Sequence, residues 1–223
     1  MLISAGVLMR RIPKVWDAAA IVVGREAAQA LSAALIVCGT FVMLGPWAWV
    51  AGTGRAVYAA QSQALSAWDQ AVARPAPSVG LQSPHGGPMV LSLPTLSLRR
   101  FVPNDATPDH LKAYGVGWIP WTALPGADGV VGIAGHRTTH GAPFFWLDRL
   151  TEGDPIVIDY RGHRYTYRVE RVETVSPTQV QVLEAPPDRR MIALVTCTPA
   201  YSAAYRLVVL GRLDTVAAWG NGQ

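Results

Sequence analysis

Residues 191–199 read MIALVTCTP, a nearly continuous apolar run that ends in a cysteine and a Thr-Pro pair. A short apolar run bounded by turn residues predicts a buried central strand. Residues 205–213, YRLVVLGRL, alternate between apolar and polar side chains and predict a second strand after a short loop. Together the two strands predict a hairpin in which Cys197 stands at a strand end and Arg206 lies on the strand that follows.

More strands are predicted upstream of this hairpin, at residues 90–93, 129–134, 154–159 and 164–173. Six or more short strands within about 130 residues, separated by turn residues, indicate an all-β barrel or sandwich. Residues 142–150, APFFWLDRL, are predicted to form a short helix in this domain. The globular domain is expected over residues 89–215, followed by a C-terminal tail over residues 216–223.

The N-terminal part of the chain has a different composition. Residues 1–26 carry four basic and two acidic side chains, and residues 27–54 carry no charge. An uncharged apolar stretch of this length is typical of a membrane-spanning helix, and basic residues before it favour a cytoplasmic N-terminus. We therefore expect a cytoplasmic tail over residues 1–26 and a transmembrane helix over residues 27–52. A cleaved signal peptide is the competing interpretation, but its apolar region is usually about 7–15 residues long.

Residues 53–88 are expected to form an extracellular stalk between the membrane and the globular domain. Residues 56–73 lack glycine and proline, which favours a helix. Seven prolines and glycines are concentrated in residues 75–88, and this density favours a flexible linker. The predicted protein is thus a single-pass membrane protein whose globular domain lies outside the cell.

The composition excludes several classes of protein. Half of the residues are hydrophobic, which excludes intrinsic disorder as the main state. Two cysteines are too few for a disulfide scaffold or a Cys-rich zinc module. Residues 89–223 carry 13 basic and 12 acidic side chains and are nearly neutral, so the globular domain lacks the basic block that nucleic-acid binding requires. No acidic loop of the EF-hand type is present, and no structural calcium is expected.

Cys197 is the candidate for chemistry in the globular domain. An unpaired cysteine outside the cytoplasm is exposed to oxidation, so it is either a buried inert thiol or a nucleophile. A nucleophilic thiol needs a proton partner and a group that stabilises an oxyanion. His136 follows an apolar strand and Arg206 lies across the predicted hairpin, so both can reach the thiol. His136 and His140 could also form a metal pair, but no third ligand stands beside them.

These residues resemble the sortases, membrane-anchored cysteine transpeptidases of Gram-positive surfaces. The resemblance covers about residues 89–213 and rests on LVTCTP at 194–199, GHR at 135–137 and Tyr205-Arg206. Two longer stretches, residues 122–154 and 196–209, resemble the class E branch, and class D is the nearer of the remaining branches.

The resemblance implies a closed eight-stranded β-barrel with short helices and a substrate groove that ends at the cysteine. It implies that the Cys197 thiolate attacks the Thr–Gly bond of an LPxTG- or LAxTG-like sorting signal. It also implies that His136 donates and accepts protons, and that Arg206 holds the substrate carbonyl and stabilises the developing charge. Further contacts to the sorting peptide are expected from Thr196, Thr198 and Tyr201.

The expected partners follow from the same resemblance. Secreted proteins with C-terminal sorting signals are the substrates, and an amine from a peptidoglycan precursor or a pilin lysine resolves the thioester. No cofactor and no metal are implied. The stalk is expected to hold the catalytic domain at a distance from the membrane and to take no part in the reaction. A chain that starts near residue 80 is therefore expected to keep its activity on sorting peptides.

Two other classes of protein remain alternatives. Another extracytoplasmic thiol enzyme is one, although an L,D-transpeptidase places its histidine only a few residues before the cysteine. A papain-like or wall-amidase enzyme places the cysteine before the histidine, which is the reverse of the order here. The non-enzymatic alternative is a membrane-tethered β-domain in which Cys197 is inert.

Overall fold

A computed structural model of the chain describes residues 15–73, 86–184 and 188–218, without the side chains of residues 15–27 and 44–51. These residues form two α-helices and eight strands: α1 (Val15–Ala73), β1 (Met89–Leu93), β2 (Leu98–Val102), α2 (Pro108–Tyr114), β3 (Val116–Trp118), β4 (Gly129–Gly135), β5 (Pro155–Tyr160), β6 (His163–Val175), β7 (Arg190–Thr198) and β8 (Tyr205–Ala218). Short 3₁₀ helices lie at Pro94–Leu96, Leu147–Arg149 and Val180–Leu183. Most of the linker predicted at residues 75–88 lies outside the described residues.

The chain divides into two compact units, one ending at Trp49 and the other beginning at Val50. In the first unit, every described side chain of α1, over residues 28–43, is exposed. The predicted transmembrane segment at residues 27–52 falls within α1, and part of its side chains lies outside the described residues. No helix within the described residues combines the length and the apolar character that a membrane crossing requires.

The second unit contains one eight-stranded sheet in the order β2-β1-β5-β6-β8-β7-β4-β3. Its strand pairs are antiparallel except for β4 and β7, which run parallel. The two end strands approach each other where the amide of Trp118 donates to the carbonyl of Pro103 at 3.3 Å. The predicted eight-stranded barrel is therefore confirmed, and it is nearly closed rather than continuously hydrogen-bonded.

The helix predicted over residues 142–150 is confined to the 3₁₀ turn Leu147–Arg149. Ala142 has a φ of 44°, which a right-handed helix does not allow. The α-helix that the structure describes within residues 89–215 is α2, which the sequence did not predict. The hydroxyl of Thr107 caps its N-terminus by accepting from the amide of His110, and Gly115 ends it with a φ of 77°.

The sheet is buried on both faces where β4, β7 and β8 meet. Alternate residues of β7, Ile192 and Leu194, belong to the large core inside the barrel. The outer face carries a second apolar cluster, formed by Val130, Met191, Ala193, Val208 and Leu210, over which Val182 and Leu183 pack. A strand buried on both faces explains why residues 191–195 form a continuous apolar run.

Candidate active site

The parallel pairing of β4 and β7 brings His136 and Cys197 together. Ala134 is the register partner of Val195, and both strands run in the same direction. The residues two positions further along, His136 and Cys197, therefore stand beside each other on the same face. This is the outer face, because Cys197 follows Ala193 and Val195 at alternate positions of β7. The thiol is free and half-buried.

Thr196 connects the ends of the two strands. Its side chain is only 3% exposed, and its hydroxyl donates to the carbonyl oxygen of Gly135 at 2.8 Å. It lies on the barrel side of β7, opposite to Cys197. A peptide bound beside the thiol can therefore contact the backbone of Thr196 but not its hydroxyl.

Arg206 is the direct cross-strand partner of Cys197 in the antiparallel pair of β7 and β8. Side chains of directly opposed residues lie on the same face, with Cβ atoms about 4.5–5.5 Å apart. The Nη1 atom of Arg206 donates to the carbonyl oxygens of Ala203 and Tyr205 at 3.0 and 3.1 Å. A guanidinium has five N–H groups, and in the described parts of the chain those on Nε and Nη2 donate to no other residue, so they remain for a ligand.

The other two predicted contact residues lie at the edge of this group. Thr198 is half-buried at the end of β7, opposite Tyr205, and its side chain points to the face away from Cys197. Tyr201 lies in the loop between β7 and β8 with 83% of its surface exposed. The structure thus brings together Cys197, His136 and Arg206, and it leaves Tyr201 in solvent.

The backbone around His136 is fixed on both sides. Its amide donates to the carbonyl of Gly115 at 2.9 Å, and its carbonyl accepts from the amide of Phe144 at 3.1 Å. The preceding Gly135 has no space for a side chain, because a Cβ there would lie 2.5 Å from the Phe144 ring. The Nδ1 atom of His136 is 3.3 Å from the hydroxyl of Thr139.

His140 stacks on His136 and is part of the site. The ring centroids are 4.5 Å apart and the planes differ by 25°. Burial lowers the pKa of His136, and the charge of His140 lowers it further. Burial and the neighbouring Lys112 lower the pKa of His140 in turn. The i and i+4 spacing of the two histidines suggested a metal pair. No group of three or more possible metal ligands is found in the described parts of the chain.

Arg137, which directly follows His136, is a buried charged residue that the sequence did not single out. Its side chain is only 8% exposed and forms an ion pair with Asp148 at 3.0 Å. Two of its nitrogens, Nε and Nη1, are buried without a hydrogen-bond partner among the described residues. The available signal was a charged residue in the GHR tripeptide, two positions beyond the end of a buried strand.

Comparison with known proteins identifies the family. The model of the sortase domain matches residues 91–214, which is more than half of the chain. The chain belongs to the sortase family. Sortase SrtE1 of Streptomyces coelicolor is 40% identical over 101 residues, which are 41% of this chain and 29% of that protein. Sortase SrtE2 of the same organism is 38% identical over 100 residues, which are 40% of each protein.

A crystal structure of sortase E1 from Streptomyces coelicolor superimposes with a TM-score of 0.57 at 31% sequence identity. The superposition covers 64% of this chain and 96% of that structure. These relatives confirm the predicted similarity to class E sortases. The chain spans less than half of the length of the two curated relatives that it matches.

We expect an NMR titration of the His136 imidazole to give a pKa below 6.5, its ordinary value. His140→Phe keeps the stacking and the burial but removes the second charge, so the pKa of His136 should rise part of the way towards 6.5. His163→Phe, at an exposed position, is the control and should leave it unchanged.

The same shift predicts how stability depends on pH. The folded-state pKa lies below the unfolded-state value, so protonation favours the unfolded chain. The contribution of His136 to stability is therefore present above pH 6.5 and decreases as the pH falls below that value.

An identical pKa of His136 in the wild type and in His140→Phe would contradict the coupling of the two rings.

Proposed function

We propose that this chain is a cysteine transpeptidase that cleaves an LPxTG- or LAxTG-like sorting signal and joins the released acyl group to an amine. The observation that carries the proposal is the placement of a free thiol on β7, a guanidinium on β8 and an imidazole directly after β4, as neighbours on one face. The alignment with class E sortases supports the same assignment.

The first half of the reaction forms a thioester. His136 takes the proton of the Cys197 thiol, and the sulfur attacks the carbonyl carbon of the threonine in the Thr–Gly bond. The C–S bond forms while the C–N bond breaks, and His136 gives its proton to the leaving glycine amine. Arg206 donates to the carbonyl oxygen, which carries negative charge during the attack.

The second half transfers the acyl group. An amine from a peptidoglycan precursor or a pilin lysine attacks the thioester carbon, forming a C–N bond as the C–S bond breaks. His136 accepts the proton of that amine and the thiol is regenerated. The thioester conserves the energy of the peptide bond, so ligation outside the cell needs no nucleotide.

The sorting peptide lies on the outer face of the sheet in this proposal. Ala134 and Val195 are half-buried register partners two positions before His136 and Cys197 on the same face, and they form a small apolar floor. Towards the N-terminal end of β7, around Met191 and Ala193, the same face is covered by Val182 and Leu183. These two residues limit the space for a peptide in that direction. The crystal structure of sortase E1 contains a tripeptide in its active site, which is consistent with peptide binding by this fold.

Cys197→Ala is expected to abolish cleavage of LPxTG and LAxTG peptides and to remove any thioester-linked adduct detected by mass spectrometry. The reason is that no second nucleophile stands at the cross-strand position of Arg206. Cys38→Ala is the matched control, since Cys38 is the second cysteine of the chain and lies on α1 in the other compact unit. It should retain activity within about twofold of the wild type.

The alternatives give different results in this experiment. Cleavage that persists in Cys197→Ala would contradict the covalent mechanism. Two results together would favour a binding domain with an inert cysteine. The wild-type chain would form no adduct, and the Cys197 thiol would react with an alkylating probe at the same rate in the wild type and in the His136→Ala variant. Hydrolysis without transfer to any of several amines would favour another thiol hydrolase.

Arg206→Ala is expected to lower kcat/KM by about a hundredfold or more, which is typical for the loss of one oxyanion donor. Arg206→Lys should restore only part of the activity, because lysine keeps the charge but loses the planar arrangement of donors. Arg212→Ala is the matched control on the same strand. Arg212 is exposed and pairs with Glu170 at 3.2 Å, so its loss should be nearly silent. Equal, small effects of the two alanine variants would contradict a role for Arg206 in catalysis.

We further propose that the globular domain lies outside the cell and that residues 27–52 hold it at the membrane. Seven large apolar side chains of α1 support this, because they are 64–79% exposed: Leu31, Leu35, Ile36, Val37, Phe41, Val42 and Met43. They project from all sides of the helix, an arrangement that is stable only when a lipid or a protein covers it. The uncharged stretch continues to residue 54, and the basic residues precede it.

Protease added to intact cells is expected to digest the globular domain, while a tag at the N-terminus stays protected. Carbonate extraction should leave the chain in the membrane fraction. Freely secreted protein that begins near residues 52–60 would instead support a cleaved signal peptide. A chain that stays protected at both ends would place the domain inside the cell and contradict the proposal.

A further inference from the structure

The last part of α1, residues 52–73, belongs to the same compact unit as the barrel and is called the helical arm below. Two of its side chains are almost completely buried: Val57 is 2% exposed and Gln61 is 3% exposed. A polar side chain is buried at this depth only when its hydrogen bonds are satisfied. We propose that the helical arm is a positioning element for His136. This inference rests on the proposed role of His136 in catalysis.

Gln61 supplies the first connection to His136. Its Nε2 atom donates to the carbonyl oxygen of Tyr114 at 2.8 Å. The next residue, Gly115, accepts the hydrogen bond from the amide of His136 at 2.9 Å. Gln61 therefore holds the peptide segment that in turn holds the backbone of the catalytic histidine.

The same side chain ties this segment to β2. Nε2 of Gln61 also donates to the carbonyl of Phe101 at 2.9 Å, and its Oε1 accepts from the amide of Phe101 at 2.8 Å. β2 is one end strand of the sheet, so these main-chain groups have no strand partner on that side. The amide of Gln61 forms the hydrogen bonds that a neighbouring strand would otherwise form with Phe101, and it connects β2 to the end of α2. Such a satisfied buried amide fixes its partners more firmly than a surface contact does.

Val57 supplies the second connection. It packs against Gly141, where an added Cβ would lie 3.2 Å from the Cγ1 atom of Val57. Gly141 has a φ of 75°, and it directly follows His140, whose ring stacks on His136. The arm thus reaches His136 by two separate paths, through its backbone by way of Gly115 and through its ring by way of His140.

Other contacts of the arm lie away from the histidine and attach it to β2. Asp69 and Arg99 form a bidentate ion pair with distances of 3.0 and 2.6 Å. The guanidinium of Arg100 lies over the ring of Tyr58, 5.6 Å from its centroid. These partly exposed contacts attach the arm to β2 and not to the segment that carries His136 and His140, and they provide a control for simple loss of stability.

In this proposal the arm helps to position His136. The expectation from sequence was a stalk that only separates the domain from the membrane. Replacing Gln61 with alanine removes the side-chain partner of three part-buried main-chain groups of Phe101 and Tyr114, and the loop that contacts His136 must shift to rehydrate them. Misplacement of a catalytic group by about 1 Å can cost up to about a hundredfold in rate. The effect should appear in kcat, because no substrate contact is removed.

The experiment compares Gln61→Ala with Gln63→Ala and Val57→Ala with Val72→Ala in the full chain. Gln63 and Val72 are matched residues on the exposed side of the same helix. We expect Gln61→Ala and Val57→Ala to lower kcat by about tenfold or more with KM within about twofold, and to shift the NMR resonances of the His136 imidazole. The two exposed variants should match the wild type in every measurement.

Asp69→Asn separates positioning from stability. It should lower the thermal unfolding midpoint by breaking the pair with Arg99, while kcat and the His136 resonances stay unchanged. If Gln61→Ala does not fold, Val57→Ala and Gln61→Glu are judged by the same kinetic and NMR measurements. Folded Gln61 and Val57 variants with wild-type kcat and wild-type His136 resonances would overturn the inference.

The variant His136→Ala separates the role of the helical arm from the proposed catalytic role of His136. An inactive His136→Ala enzyme together with fully active arm variants would contradict only the role of the arm. An active His136→Ala enzyme would contradict the proposed function itself, whatever the arm variants do.

Discussion

The parallel pairing of β4 with β7 is the constraint on which the site depends. Parallel neighbours end at the same edge of a sheet, so the residues that follow them meet there although they are far apart in sequence. The hydroxyl of Thr196 reinforces this edge by donating to the carbonyl of Gly135. His136 and Cys197 are the next residues of the two strands. The antiparallel partner β8 then adds Arg206 at the level of the thiol.

Burial on both faces of these strands gives the site its rigidity and its electrostatics. The inner face packs in the main core and the outer face in a second cluster, so the strand ends have little freedom to move. The same packing lowers the pKa of His136 and so favours its neutral imidazole. A neutral imidazole beside a thiol is a proton acceptor, and the proton that it receives is then available to a leaving amine. Packing and chemistry are therefore set by one arrangement of strands.

The sequence predicted the elements with strong patterns and missed those that depend on partners. The alternating strands and the run at residues 191–196 were predicted because burial repeats along them. β2 was not, because the adjacent Arg99 and Arg100 break the alternation of apolar and polar side chains in Leu98–Val102. β3 was not, because the three residues Val116–Trp118 are too few for a periodic signal. Cys197, His136 and Arg206 were predicted as site residues from their strand-end positions and their order, and the strand register makes them neighbours. The burial of Gln61 could not be predicted, because a glutamine in a helix without glycine or proline looks like a solvated residue until its main-chain partners are known.

The cross-strand pairing of Cys197 with Arg206 also limits how the protein can change during evolution. Inserting or deleting one residue in β7 or β8 would turn one of the two side chains towards the barrel interior, because neighbouring residues of a strand face opposite sides. The loop between the strands, residues 199–204, is free of this restriction, since its length does not alter the register upstream. Divergence of this protein is therefore expected to accumulate as changes of length and side chain in that loop, beside a thiol and a guanidinium that stay in place.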